Sequence, residues 1–185
     1  MIIVTGSSKG LGAAICERLI DEGHDVYGLA RDVNGLNFEG QACDVSSYEQ
    51  VKSVAQKLKK SKVVVKGVVN AAGIASMNLA ITTPPRVTQN IIQTNLVGTI
   101  YCCQLFAPLM IRKKTGIIIN FSTIAVSLGV KGESIYAASK AGVEGFTRTF
   151  AREMADFNIR VNCIAPGPIN TDLIKGVSKE QINRL

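Results

Sequence analysis

The sequence contains one histidine, His24, and no tryptophan. A lone imidazole cannot make an HExxH zinc site or a histidine-rich cluster, so no metal site is expected. Any acid–base chemistry must come from other groups. The five cysteines, Cys16, Cys43, Cys102, Cys103 and Cys163, show no CxxC spacing and are odd in number. That speaks against a disulfide framework. With no secretory-type leader visible at the start, the expected location is a reducing compartment, the cytoplasm. No uninterrupted apolar run reaches the length of a membrane span, so no membrane partner is expected. The net charge of +7 is spread along the chain. Its densest run, Lys57, Lys59, Lys60 and Lys62, has no aromatic interleaving and reads as a solvated helix end. No nucleic-acid partner is expected; the charge suits anionic small molecules or an acidic protein.

What is present is an apolar chain with regular alternation. Of 185 residues, 46% are hydrophobic, enough for one core, and neither linker nor repeat divides residues 1–185. Apolar or β-branched runs at residues 2–5, 25–30, 41–44, 63–70, 116–122 and 159–165 read as strands. Between them, residues 11–20, 48–60, 85–112 and 134–156 read as helices, and a further helix starts at 177–185. Ser46 or Ser47 suits the N-cap of the second helix, and Pro84-Pro85 the start of the third. Solid apolar strands separated by helices predict a parallel sheet covered on both faces, a single-domain doubly wound α/β fold of Rossmann type. Cys102 and Cys103 fall inside an apolar helical stretch and are expected to be buried thiols. His24 falls in a surface turn.

The first strand–helix joint is Thr5-Gly6-Ser7-Ser8-Lys9-Gly10-Leu11-Gly12. Glycine permits a sharp turn and close approach to a pyrophosphate, and the helix N-terminus behind it favours negative charge. The second strand ends in Arg31, where a NAD-binding fold carries an acid for the ribose hydroxyl. The guanidinium fork matches a 2′-phosphate, and Lys9 adds charge nearby. NADP (as NADPH) is therefore expected rather than NAD. The alternative is that Arg31 merely pairs with Asp32.

Tyr136 and Lys140 stand four residues apart, on one face of a helix. An ammonium beside a phenol is expected to lower its pKa from about 10, giving a usable acid–base group. Before them come Asp44-Val45, Asn70-Ala71-Ala72-Gly73, Asn95 and Ser122-Thr123; after them comes Pro166-Gly167-Pro168-Ile169-Asn170-Thr171. In this order, with the glycine loop, the chain resembles the classical short-chain dehydrogenase/reductase family along its whole length. Within the family the similarity is greatest to 3-oxoacyl-[acyl-carrier-protein] reductases and related NADPH-dependent carbonyl reductases.

The resemblance implies an oxidoreductase moving a hydride between NADP(H) and a carbonyl or secondary alcohol. Tyr136 would exchange the proton at the substrate oxygen. Lys140 would hold the nicotinamide ribose and tune Tyr136, and Asn95 would anchor a water in the proton relay. The family's substrate-orienting hydroxyl falls on Thr123, whose methyl narrows the pocket; Ser122, one position away, faces the other way in a strand. Gly6, Ser7, Ser8, Lys9, Gly10, Leu11 and Gly12 would hold the pyrophosphate, and Arg31 the 2′-phosphate. Asp44 and Val45 would flank the adenine. Asn70, Ala71 and Gly73 would line the cleft, and Pro166, Gly167, Ile169 and Thr171 the nicotinamide side. The family pattern continues with a seventh strand and a helix over the substrate pocket; by this reading the chain is C-terminally short, with residues 177–185 starting the lid. A homodimer or homotetramer is expected through the two long helices (Ile92, Leu96, Ile100; Val143, Phe146, Phe150). The alternative function is a catalytically silent dinucleotide-binding or scaffolding module.

Overall fold

The apolar runs lie side by side in one parallel sheet. The structure, a computed structural model, describes residues 1–171. The strands are β1 (Ile2–Thr5), β2 (Val26–Ala30), β3 (Gly40–Ala42), β4 (Gly67–Asn70), β5 (Gly116–Phe121) and β6 (Ile159–Ile164). Their order in the sheet is β3-β2-β1-β4-β5-β6. The chain therefore moves outward one way from β1 and then crosses to build the other way from β4. Connections on the two sides fall on opposite faces because parallel crossovers are right-handed.

The faces show that sorting. Ile3, Tyr27, Val68 and Ile118 share a register row and pack with α2 (Tyr48–Lys60) and α4 (Gly98–Ile111). Val4 and Val26 point the other way, onto Cys16 of α1 (Gly10–Asp21). Fully buried side chains such as Ile3, Ile118 and Phe106 each contribute about 2 kcal/mol of transfer free energy. The expected helix at 177–185 lies outside the described residues.

Three expectations need adjusting. Residues 63–66 do not join the sheet: Lys66 donates its N–H to the Met1 carbonyl, and pairing begins only at Gly67, opposite Ile2. The lysine run is exposed throughout, but one of its members also reaches a buried group. Ser47 caps α2, but Lys57 in its last turn donates to the buried Tyr27 hydroxyl at 3.0 Å. That phenol in turn donates to Gln41.

The third adjustment is the long helix. Residues 85–112 form α3 (Pro85–Ile92), a π-helical turn (Gln93–Val97) and α4 in continuous succession. A π turn accommodates an extra residue in the helix, and here it carries the fully buried Asn95. The span Pro85–Ile111, 27 residues with an 18-residue stretch of mean hydropathy 1.4, is long and apolar enough to cross a membrane, which reading uninterrupted apolar runs missed. In this structure its apolarity has a core explanation: Ile91, Cys102, Cys103, Phe106, Ala107 and Met110 are buried, several of them against the sheet.

After β5 come a short α5 (Ala125–Leu128) and the long α6 (Ser134–Ala155). The carboxyl ends of β1, β4 and β5 thus open toward the start of α1, the π turn and the first turns of α6.

Candidate active site

The crevice lies where the strand order reverses, as expected for a doubly wound sheet. Its volume of about 470 Å³ suits a small organic ligand.

At one end the chain leaves β1 and turns into α1. Gly6 has φ +69°, and a Cβ there would sit 2.8 Å from the Ala72 Cα. A Cβ on Gly12 would collide with the Gly6 carbonyl oxygen. Both glycines are needed so that backbone can pass backbone. Gly6 donates to the Leu29 carbonyl at 2.7 Å, and Ala72 donates to the Thr5 hydroxyl, tying the loop to β2 and to the segment after β4. No side chain caps α1, whose N-cap residue is Lys9. The positive end of the helix therefore faces the crevice. Gly6, Ser8, Lys9, Gly10, Leu11 and Gly12 all line it, and Arg31, Asp44 and Val45 extend the wall beyond them. Arg31 is exposed and makes no ion pair among the described residues. The Asp32 carboxylate instead accepts the Asn34 N–H. Uncapped helix amides with two cations alongside fit a phosphate-bearing cofactor.

Two residues expected in this wall are elsewhere. Ser7 is fully buried and turned under the loop, toward Gly28, and its hydroxyl has no partner among the described residues. Asn70 is beneath the crevice. Its amide donates to Asn120 at 2.8 Å and to the Cys103 sulfur, while its own Oδ1 has no partner among the described residues. Asn70 ends β4 with its side chain on the core face, whereas Ala71, Ala72 and Gly73, past the strand end, line the crevice.

At the other end Tyr136 and Lys140 project from α6, with Thr123 opposite at the end of β5. Pro166, Gly167, Ile169 and Thr171 close the near side. Thr123 accepts the Ala125 N–H at 3.2 Å. Ser122 also borders the crevice, but its hydroxyl donates to Glu144 at 2.5 Å, back toward α6. Both residues thus border the crevice, with their hydroxyls on different partners.

The electrostatics differ from expectation. Tyr136 is pushed up to about 12, first by burial and then by the Glu133 carboxylate. Lys140 is lowered to about 8 by burial. Its ammonium sits 5.9 Å from the Tyr136 ring centroid and donates to the Phe121 carbonyl at 2.8 Å. The Tyr–Lys spacing does put the pair on one face, but depth in the fold outweighs the pairing, and the phenol rises instead of falling.

Asn95 likewise takes up protein partners. Its Oδ1 accepts the Ile74 N–H, and its amide donates to the Ile74 carbonyl and to Ser139. Ser139 donates in turn to the Tyr136 carbonyl at 2.6 Å. The side chain thus couples the π turn, the crevice loop and α6; both of its N–H groups are engaged, so a water would have to bond at Oδ1 or elsewhere. Sequence reading also missed Asn120, Ser139, Glu133 and Glu144. Asn120 was detectable as the one polar residue inside the apolar run 117–121; it donates to Thr147 and accepts from Asn70. Glu133 and Glu144 carry no such signal.

A crevice at the strand-order switch, an uncapped helix start and a phenol–ammonium pair define a nicotinamide-dependent oxidoreductase fold. The comparisons agree. A family described as short chain dehydrogenase matches residues 1–182. Carbonyl reductase family member 4 of Danio rerio is 35% identical over 97% of this chain and 80% of its own length. The 3-oxoacyl-[acyl-carrier-protein] reductase FabG of Vibrio cholerae is 35% identical over 97% and 77%. Among solved structures, the aldohexose dehydrogenase of Thermoplasma acidophilum superposes with TM-score 0.89 at 32% identity, covering 99% of this chain and 74% of that one. The chain belongs to the short-chain dehydrogenase family, oxidoreductases that use a nicotinamide dinucleotide.

Proposed function

We propose that the chain is an NADP(H)-dependent oxidoreductase that interconverts a carbonyl and a secondary alcohol. The observation that carries this reading is the shared crevice: Tyr136 and Lys140 face the same cleft as the uncapped α1 start and Arg31. The cofactor, when bound, supplies or takes up the hydride. The protein's part is positioning and proton transfer. Arg31 and Lys9 hold the phosphates, and Arg31 favours the phosphorylated ribose. Thr123 donates a hydrogen bond to the substrate oxygen. Tyr136, held at about 12, keeps its proton at neutral pH and delivers it to that oxygen in the reductive direction. Lys140 holds the ribose hydroxyls and Asn95 keeps the Ile74 loop in place. Buried Cys102 and Cys103, and unpaired thiols throughout, suit a reducing location such as the cytoplasm. Half-buried Ile92, Leu96, Ile100 and Phe146 suit a homo-oligomer, whereas Val143 and Phe150, expected on the same face, are buried within the chain. Residues 1–185 act as one domain in this reading.

A catalytically silent dinucleotide-binding module is the second reading. It is favoured by the Lys140 ammonium, which lies on a backbone carbonyl rather than on the phenol. The test is a titration with NADPH and NADH, followed by carbonyl reduction assays. NADPH is expected to bind more tightly, and Arg31→Ala to weaken it by about tenfold, one charge-assisted contact. Tyr136→Phe is expected to keep that binding and to lose reduction by about 10³-fold. Turnover unchanged in that variant would overturn the role given to Tyr136, and absence of reduction of any carbonyl by the wild type would leave the silent module standing.

A further inference from the structure

Opposite the glycine loop the crevice wall is apolar, built by Ile74, Met77, Ile124 and Val130. One acid interrupts it. Glu133 is half-buried, immediately precedes α6 and stands three residues before Tyr136. Its carboxylate makes no hydrogen bond or ion pair among the described residues. The other acid in the crevice, Asp44, is at the far end, with one oxygen engaged by the Ser46 N–H and hydroxyl. The crevice cations do not neutralise Glu133. Lys9 and Arg31 are at the glycine-loop end, and Lys140 donates to Phe121. The proximity of Glu133 to the reacting end is felt by Tyr136, whose phenol it disfavours ionising.

We infer that Glu133 is a specificity residue that selects uncharged substrates bearing a hydroxyl next to the reacting carbonyl and rejects carboxylates. The inference rests on the oxidoreductase reading above and names its substrate class. A half-buried carboxylate without a protein donor accepts a hydrogen bond from a substrate hydroxyl, and desolvation strengthens that contact. The same charge repels a substrate carboxylate where little water screens it. The apolar walls beside it accommodate the rest of a short carbon chain. A purely structural role, a negative charge at the start of α6, would alter stability and leave ligand preference unchanged.

The test is ligand binding, so that it does not depend on turnover. The probes are 1-hydroxybutan-2-one and 2-oxobutanoate, which share a four-carbon skeleton. Their dissociation constants are measured by saturation-transfer NMR on the full chain with NADP⁺ present, for the wild type, Glu133→Gln and Glu133→Leu. The wild type is expected to favour the hydroxyketone by at least about tenfold. Glu133→Gln keeps an acceptor oxygen and removes the charge, so 2-oxobutanoate binding should tighten about tenfold while hydroxyketone binding changes little. Glu133→Leu should weaken the hydroxyketone. Equal affinities in the wild type, no binding of either probe, or a preference unmoved by Glu133→Gln would each overturn the inference. A silent Tyr136 would leave this binding preference in place, so failure of the hydride-transfer reading is separately visible.

Discussion

The two ends of the crevice are built from different materials. The glycine-loop end is mostly backbone: amides at the start of α1, carbonyls of Gly6 and Leu29, and glycines that admit no Cβ. The Tyr136 end is mostly buried side chain. Asn70, Asn120 and Thr147 form a hydrogen-bonded series under it, and Asn95 with Ser139 forms another beside it. The first end should tolerate a change of exposed side chain but not an added atom at a glycine. The second should tolerate neither the loss of a partner nor the stranding of one.

Substitutions at each end separate these cases. Gly12→Val puts a branched side chain against the Gly6 carbonyl, in a turn with no slack. A loss of about 3 kcal/mol is expected, read as a lower denaturation midpoint, with NADPH binding lost in parallel. Ser8→Ala at the exposed lip of the same loop should stay within about 0.5 kcal/mol. Equal losses from both would erase the contrast.

Asn120→Ala removes the centre of the buried series and strands the Asn70 amide and one bond of Thr147. The expected cost is about 2 kcal/mol, because a buried unpaired group loses its water without replacement. Chemical denaturation checks it. A change under about 0.5 kcal/mol would mean that the series adds little to stability.

The smallest effect has the opposite sign. Lys140 has a folded pKa of about 8 against an ordinary 10.5, because burial disfavours its charge. The unfolded chain therefore binds more protons between those values, and stability rises with pH across the window. Below about pH 8 the buried ammonium is a net cost, partly offset by its bond to Phe121. Lys140→Met should then stabilise the protein at pH 7 by about 1–2 kcal/mol. That advantage should shrink between pH 8 and 10.5 and level off above it, as the unfolded chain also loses the proton. Thermal melts of the two proteins across pH 6–11 read it directly; a difference that does not narrow with pH would contradict the assignment.

Much of the fold was legible because it depends on pattern. Apolar runs alternating with 3.6-residue periodicity locate the strands and helices, and right-handed crossovers supply the doubly wound arrangement, though not the strand order. Strand ends were less legible. Residues 63–66 look like strand, but their neighbour β1 begins only at Ile2, so pairing has to wait for Gly67. The site divides in the same way. The glycine loop and the Tyr136–Lys140 spacing are local and could be read. The directions of Ser7 and Asn70 depend on which face of a strand meets the core. The ionisation of Tyr136 depends on depth, which no local spacing encodes. Glu133 belongs to no recognisable motif and is placed by the return of α6 to the sheet.

The π turn at Gln93–Val97 makes the length of the third crossover a matter of angle. Each residue of a helix advances the chain by about 100°. Deleting one residue there would remove the extra residue that the π turn accommodates and leave ordinary helix, so α4 would keep its face to the sheet. Cys102, Phe106 and Met110 would stay buried, and the loss would fall on the turn itself, where Asn95 could no longer meet Ile74 and Ser139 together. Natural variation in this segment is therefore expected to proceed by substitution, with its length held constant.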